Sequence, residues 1–176
     1  MNIQLCKLLK EGIVSTIVYN DVFKNTDASA ELDRTFLCFE DVYFGVRKMI
    51  IEKSDIPMSE WTIVDIGCAY GFSGFVFKDA KTYIGVDVVN DSKVVAKYLK
   101  NGYFFMMDGE KFLKEYLPQI KDLDLNKTMI ICSYNPSYSN SVQCKYIIDT
   151  FPNYFLEYVS FRDYKFNNKK DIAIDF

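Results

Sequence analysis

Along the first third of the chain, apolar positions recur every three to four residues. In residues 31–53 the series Leu32, Phe36, Phe39, Tyr43, Val46 and Ile50 marks one face of an amphipathic helix, and residues 3–24 read as a second helical stretch. Ser54-Asp55-Ile56-Pro57 ends this region. From Trp61 the period changes to short apolar runs separated by helical segments. Thr62–Ile66 predicts a strand, followed by a glycine-rich turn, a short helix near Ser73–Lys78 and a strand over Tyr83–Val88. Asn90-Asp91-Ser92 offers a cap for a helix over 93–101 closed by Gly102; Tyr103–Met107 predicts a strand, and Glu110–Leu117 a helix stopped by Pro118. A strand over Thr128–Tyr134, a helix over 141–151 and an extended run Phe155–Phe161 come next. The pattern closes with a last strand over Asp171–Phe176 after the polar turn Asn167-Asn168-Lys169-Lys170.

Strands alternating with helices predict an α/β fold, a doubly wound and mostly parallel sheet with helices on both faces. The chain reads as a single domain over 1–176, with N-terminal helices over 1–57 and the sheet-bearing core over 61–176. The stretch after Tyr134 is too short for two more strand-helix repeats and a closing hairpin, so the C-terminal half is expected to be shortened. Sheets of this class take ligands beyond the carboxyl ends of their strands.

Composition narrows the chemistry. The 176 residues are 49% hydrophobic and 26% charged, enough for one core that needs neither metal nor disulfides. The absence of histidine excludes Ser-His-Asp and Cys-His nucleophiles and most catalytic zinc sites. Five scattered cysteines without a C-x-x-C pair fit reduced thiols, and neither a signal peptide nor eighteen consecutive apolar residues are found, so the expectation is a soluble cytoplasmic protein. The net charge of −3, and only three arginines (Arg34, Arg47, Arg162), count against autonomous nucleic-acid binding.

Four predicted strand ends carry candidate chemistry. At the first, Asp65-Ile66-Gly67-Cys68-Ala69-Tyr70-Gly71 runs an apolar strand into glycines, which let backbone approach a ligand closely. A carboxylate in such a strand costs desolvation unless a cation or a hydrogen-bond donor meets it, so Asp65 favours an ammonium- and sulfonium-bearing ligand over a pyrophosphate. The spacing Gly67-x-x-x-Gly71-x-x-Gly74 also departs from the dinucleotide fingerprint. At the second end, Asp87, followed by Val88, stands twenty residues after Gly67, where ribose hydroxyls can donate to it. The third end offers Asp108-Gly109, suited either to an adenine amino group or to capping the next helix. The fourth is Asn135-Pro136-Ser137-Tyr138, a set of turn-forming residues.

Together, VDIGCAYG, GVDVV and MMDGEKF resemble the three cofactor motifs of class I S-adenosylmethionine (SAM) dependent methyltransferases, with Ala69 where the middle glycine is usual. The resemblance spans about Trp61 to Tyr138. It implies a Rossmann-like fold, SAM as cofactor, Asp65, Gly67, Ala69 and Gly71 around the methionine part, Asp87 at the ribose and Asp108 at the adenine, with Cys68, Val88 and Gly109 as further cofactor-binding residues. Asn135-Pro136-Ser137-Tyr138 is similar to the Asn-Pro-Pro-Tyr motif of amino-group methyltransferases, with Ser137 for the second proline. This implies Asn135, Pro136 and Tyr138 as catalytic residues and a small-molecule or nucleobase-type acceptor. Two other readings remain: a non-catalytic interaction module on the same fold, favoured by the shortened C-terminal half, and a nicotinamide-dependent oxidoreductase, disfavoured by Asp65 and the glycine spacing.

Overall fold

The computed structural model describes residues 39–88, 93–133, 142–158 and 161–167. The helices expected over 3–24 and at the start of 31–53, the cap Asn90-Asp91-Ser92, the segment Asn135–Tyr138 and the strand Asp171–Phe176 lie outside them. Six strands form one sheet: β1 (Thr62–Ile66), β2 (Thr82–Asp87), β3 (Gly102–Met106), β4 (Thr128–Ser133), β5 (Tyr154–Tyr158) and β6 (Phe161–Lys165). Their spatial order is β3-β2-β1-β4-β5-β6, with every neighbouring pair parallel except β5–β6. The fold is therefore an α/β, Rossmann-like, mostly parallel sheet. The order reverses between β1 and β4, the point at which sheets of this class take ligands in a crevice outside the carboxyl ends of the strands.

Alternation along the strands feeds two cores. Ile63, Tyr83, Met129, Ile131 and Phe155 face one side, where they pack with Val46 and Ile50 of α1 (Gly45–Lys53), Phe75 and Val76 of α2 (Ser73–Val76), and Val95 of α3 (Lys93–Ala96). Val64, Ile66, Ile84, Val86, Ile130 and Leu156 face the other. That side is covered by the helical run that begins as α4 (Gly109–Lys111) and by α5 (Val142–Thr150), through Phe112, Leu113, Leu117 and Ile147. Helices thus lie on both faces, as a parallel sheet buried on both sides requires.

Three local expectations are corrected. The helix expected over 93–101 ends at Ala96, and the chain then turns so that Leu99 enters the core against Gly74 and Gly102; a Cβ on either glycine would lie 2.3 or 2.7 Å from the Leu99 Cδ2. Pro118 does not stop the helix that starts at Gly109. It is the second residue of a final 3-10 turn, Leu117–Gln119, at a position where no backbone N–H is needed. The run Phe155–Phe161 is not one extended segment but parts of two strands, since β5 and β6 form an antiparallel pair.

Candidate functional site

Because β1, β2 and β3 are adjacent and parallel, the ends carrying Asp65, Asp87 and Asp108 are brought to one edge of the sheet. After Ile66 the chain curls over the end of β2. The amides of Gly67 and Cys68 both donate to the Val86 carbonyl, at 2.8 and 3.2 Å, and the Ala69 amide donates to the Asp87 carboxylate at 2.8 Å. The curl uses three left-handed residues: Gly67 (φ 79°), Ala69 (φ 47°) and Gly71 (φ 77°). Glycine reaches this region freely, whereas Ala69 pays a Cβ penalty of about 1 kcal/mol that its hydrogen bond to Asp87 offsets.

Asp87 is half-buried, and Val88 beside it is 66% exposed, presenting an apolar surface next to a carboxylate. Asp108 is exposed, and its carboxylate accepts the Lys111 amide at 2.9 Å, capping α4, with Gly109 buried behind it. No lysine or arginine occurs in 65–76, 83–88 or 102–110, which hold Asp65, Asp87, Asp108 and Glu110. Asp65 is buried and Glu110 is paired with Lys114 at 2.5 Å, so Asp87 and Asp108 are the acceptors that this edge offers, matched to a ligand that presents hydroxyl, amino or cationic groups. The helix after the glycine loop spans only Ser73–Val76, too short to offer a strong dipole to a pyrophosphate.

Asp65 takes a different place from its neighbours. It is 0% exposed and meets three internal hydroxyls: Ser73 Oγ at 2.5 Å, Tyr83 Oη at 2.8 Å and Tyr43 Oη at 3.3 Å. Ser73 and Tyr83 are themselves 2.5 Å apart. Burial outweighs these donors and pushes the Asp65 pKa up to about 6, with the nearby Asp87 charge adding to the rise. The donors that meet Asp65 in this structure are therefore the protein's own.

Cys68 is buried, and its Sγ would lie 2.8 Å from a Cβ added at Gly85. Burial, then the charges of Asp65 and Asp87, raise its pKa well above the usual thiol range, so it is a packed thiol and not an activated nucleophile. Asn135, Pro136 and Tyr138 lie outside the described residues. Sequence reasoning missed Tyr43, Ser73 and Tyr83, whose partnership with Asp65 spans separations of 22, 8 and 18 residues.

No family model matches the chain, and no curated protein matches it. Among solved structures, it is similar to an rRNA methylase from Streptococcus thermophilus, with 16% identity over 66% of this chain and 70% of that one and a TM-score of 0.47. It is similar to a SAM dependent methyltransferase from Aquifex aeolicus, with 16% identity over 65% and 70% and a TM-score of 0.38. A third similar structure is PKMT2 from Rickettsia typhi in complex with AdoHcy, with 16% identity over 65% of this chain and 24% of that one and a TM-score of 0.41.

Proposed function

We propose that this protein is a SAM-dependent methyltransferase acting on an amino group of a small or planar acceptor. The observation that carries the reading is the acceptor-lined edge, where a left-handed glycine loop hydrogen-bonds to Asp87 while no lysine or arginine stands in the three strand-end segments. Such an edge fits a nucleoside bearing ammonium and sulfonium charges and repels a pyrophosphate. In this reading the Gly67–Gly71 loop lies along the methionine part, Asp87 accepts from the ribose hydroxyls, Val88 packs against the nucleoside, and Asp108 and Gly109 face the adenine. Asp65 holds the loop from beneath through Ser73.

When bound, the cofactor would supply an electrophilic methyl group on a good leaving group. The chain's own task is alignment and exclusion of water, which a protein without histidine can perform. Asn135 and the carbonyl of Pro136 would accept the protons of the acceptor amine, and Tyr138 would stack on its ring. The resemblance of Asn135-Pro136-Ser137-Tyr138 to an amino-methyltransferase motif supports this assignment.

Calorimetry with SAM, S-adenosylhomocysteine (SAH) and NAD tests the cofactor. Binding of both adenosyl ligands without NAD is expected, and NAD binding in their place would return the oxidoreductase reading. Asp87→Ala should weaken SAM by at least about 1 kcal/mol through loss of charge-assisted hydrogen bonds; unchanged affinity would remove the ribose assignment. Asn135→Ala should retain SAM binding and lose turnover, once an acceptor panel has identified a substrate; full turnover would sink the amino-acceptor role.

A further inference from the structure

Gln143 stands in the first turn of α5, at the end of that helix nearest the carboxyl end of β4, and so beside the crevice where the strand order reverses. Its helical phase is that of Ile147 and, at the helix's end, Phe151, four and eight residues on, both buried against the second face of the sheet. Gln143 is 1% exposed, and among the described residues neither its Nε2 nor its Oε1 has a hydrogen-bond partner. Equally buried polar side chains elsewhere do have partners: Asp65 holds three hydroxyls, Thr128 donates to Asp124, and Asn153 bonds at both ends of its amide.

A buried carboxamide with both atoms unmet works against folding, and an apolar side chain of the same size would not. The position makes sense where a ligand brings the missing partners. A carboxamide presents one acceptor and one donor side by side, so its complement is another acceptor-donor edge. The carboxamide is itself uncharged, so a neutral edge pairs with it without leaving a charge uncompensated in a buried place.

We propose that Gln143 reads the methyl acceptor: its carboxamide pairs with the edge of a neutral planar amide or amino-substituted heterocycle entering the crevice between β1 and β4. That the bound molecule is a methyl acceptor rests on the function proposed above; that Gln143 belongs to a ligand site does not. An analogue lacking the amide or amino group leaves Gln143 as unpaired as it is in the free protein, gains nothing from it, and so binds more weakly.

The test combines unfolding with side-chain NMR. Ligand-free Gln143→Met and Gln143→Leu are compared with the unmodified chain, and a rise in Tm of about 2–4 °C in either variant is expected. The Gln143 side-chain amide resonance is then followed while nicotinamide and adenine are added, with pyridine and purine as the matched probes lacking the amide or amino group, with and without saturating SAH. Nicotinamide or adenine should shift that resonance more than its control, and the Met variant should bind that probe at least tenfold more weakly while its SAH affinity stays within twofold. A fall in Tm in both variants would mean that the amide is satisfied within the protein and would overturn the proposal, as would a resonance that neither probe moves. Failure of SAH to bind while the probe result holds would remove the methyltransferase reading and leave the Gln143 site standing.

Discussion

Burying a carboxyl behind Tyr43, Ser73 and Tyr83 ties stability to pH through Asp65. Its folded pKa, about 6, lies above the ordinary 3.8, so between these values the folded chain holds a proton that the unfolded chain has released. The stabilising contribution is complete below about pH 3.8 and is lost as pH rises through about 6. A shift of this size corresponds to roughly 3 kcal/mol. Asn resembles the protonated acid, so Asp65→Asn should gain about that much on the unmodified chain between pH 4 and 8, measured by urea unfolding at a series of pH values. A constant difference across the series would show that Asp65 keeps its charge when folded. Taking the difference between the two chains cancels groups that titrate in the opposite sense, such as Asp79, whose pKa the Arg47 guanidinium lowers.

At the scale of elements, the turn after β1 and the middle of β2 share one aromatic ring. A Cβ at Gly71 would lie 2.4 Å from the Phe104 Cε1, and one at Gly85 would lie 2.8 Å from both the Phe104 Cδ1 and the Cys68 Sγ. Gly71 carries a second constraint, its φ of 77°, which Gly85 does not share. Gly71→Ala should therefore cost about 2–4 kcal/mol, strain and overlap together. Pairing it with Phe104→Leu should return the overlap part and leave about 1–2 kcal/mol of backbone strain, read by a double-mutant cycle in denaturant. Full additivity of the two changes would mean that Phe104 does not limit the turn. The strands around this turn were legible in the sequence: β1 matches its expected limits, and β2 and β3 are each displaced by one residue from theirs. Continuous apolar runs bounded by glycine and aspartate carry that signal by themselves. The early end of α3 and the hairpin of β5 and β6 were not legible. Leu99 leaves the helix to fill a gap made by glycines 25 and 3 residues away in sequence, and Phe161-Arg162-Asp163-Tyr164-Lys165 has no period-two alternation. The three aspartates were readable as strand ends, but the hydroxyl cage around Asp65 depends on contacts between separate elements, which local pattern does not contain.

Over the whole molecule, the acceptor-lined edge and the main stabilising contacts of the C-terminal region lie at opposite ends of the sheet. β6 runs antiparallel to β5, so the chain leaving it arrives below the start of β1, where Phe166 stacks on Trp61 with ring centroids 5.5 Å apart. Asn153, 0% exposed, fastens the same end: its amide donates to the carbonyls of Asn126 and Thr128, and its oxygen accepts the Asn167 amide at 3.0 Å. Phe166 is 3% exposed, so Phe166→Ala should remove about 3–4 kcal/mol, a large share of the 5–15 kcal/mol typical of a domain. Nothing in this contact touches Asp87 or the glycine loop, so SAM affinity per folded molecule should not change. Urea unfolding gives the first quantity, and calorimetry at a temperature where the variant remains folded gives the second. Loss of SAM affinity in step with stability would mean that the ligand edge depends on closure of the opposite end, and the division between a stabilising end and a binding end would fail. Retained affinity would instead allow the cofactor to rescue the variant, raising its Tm with SAM concentration as binding to the folded state alone requires.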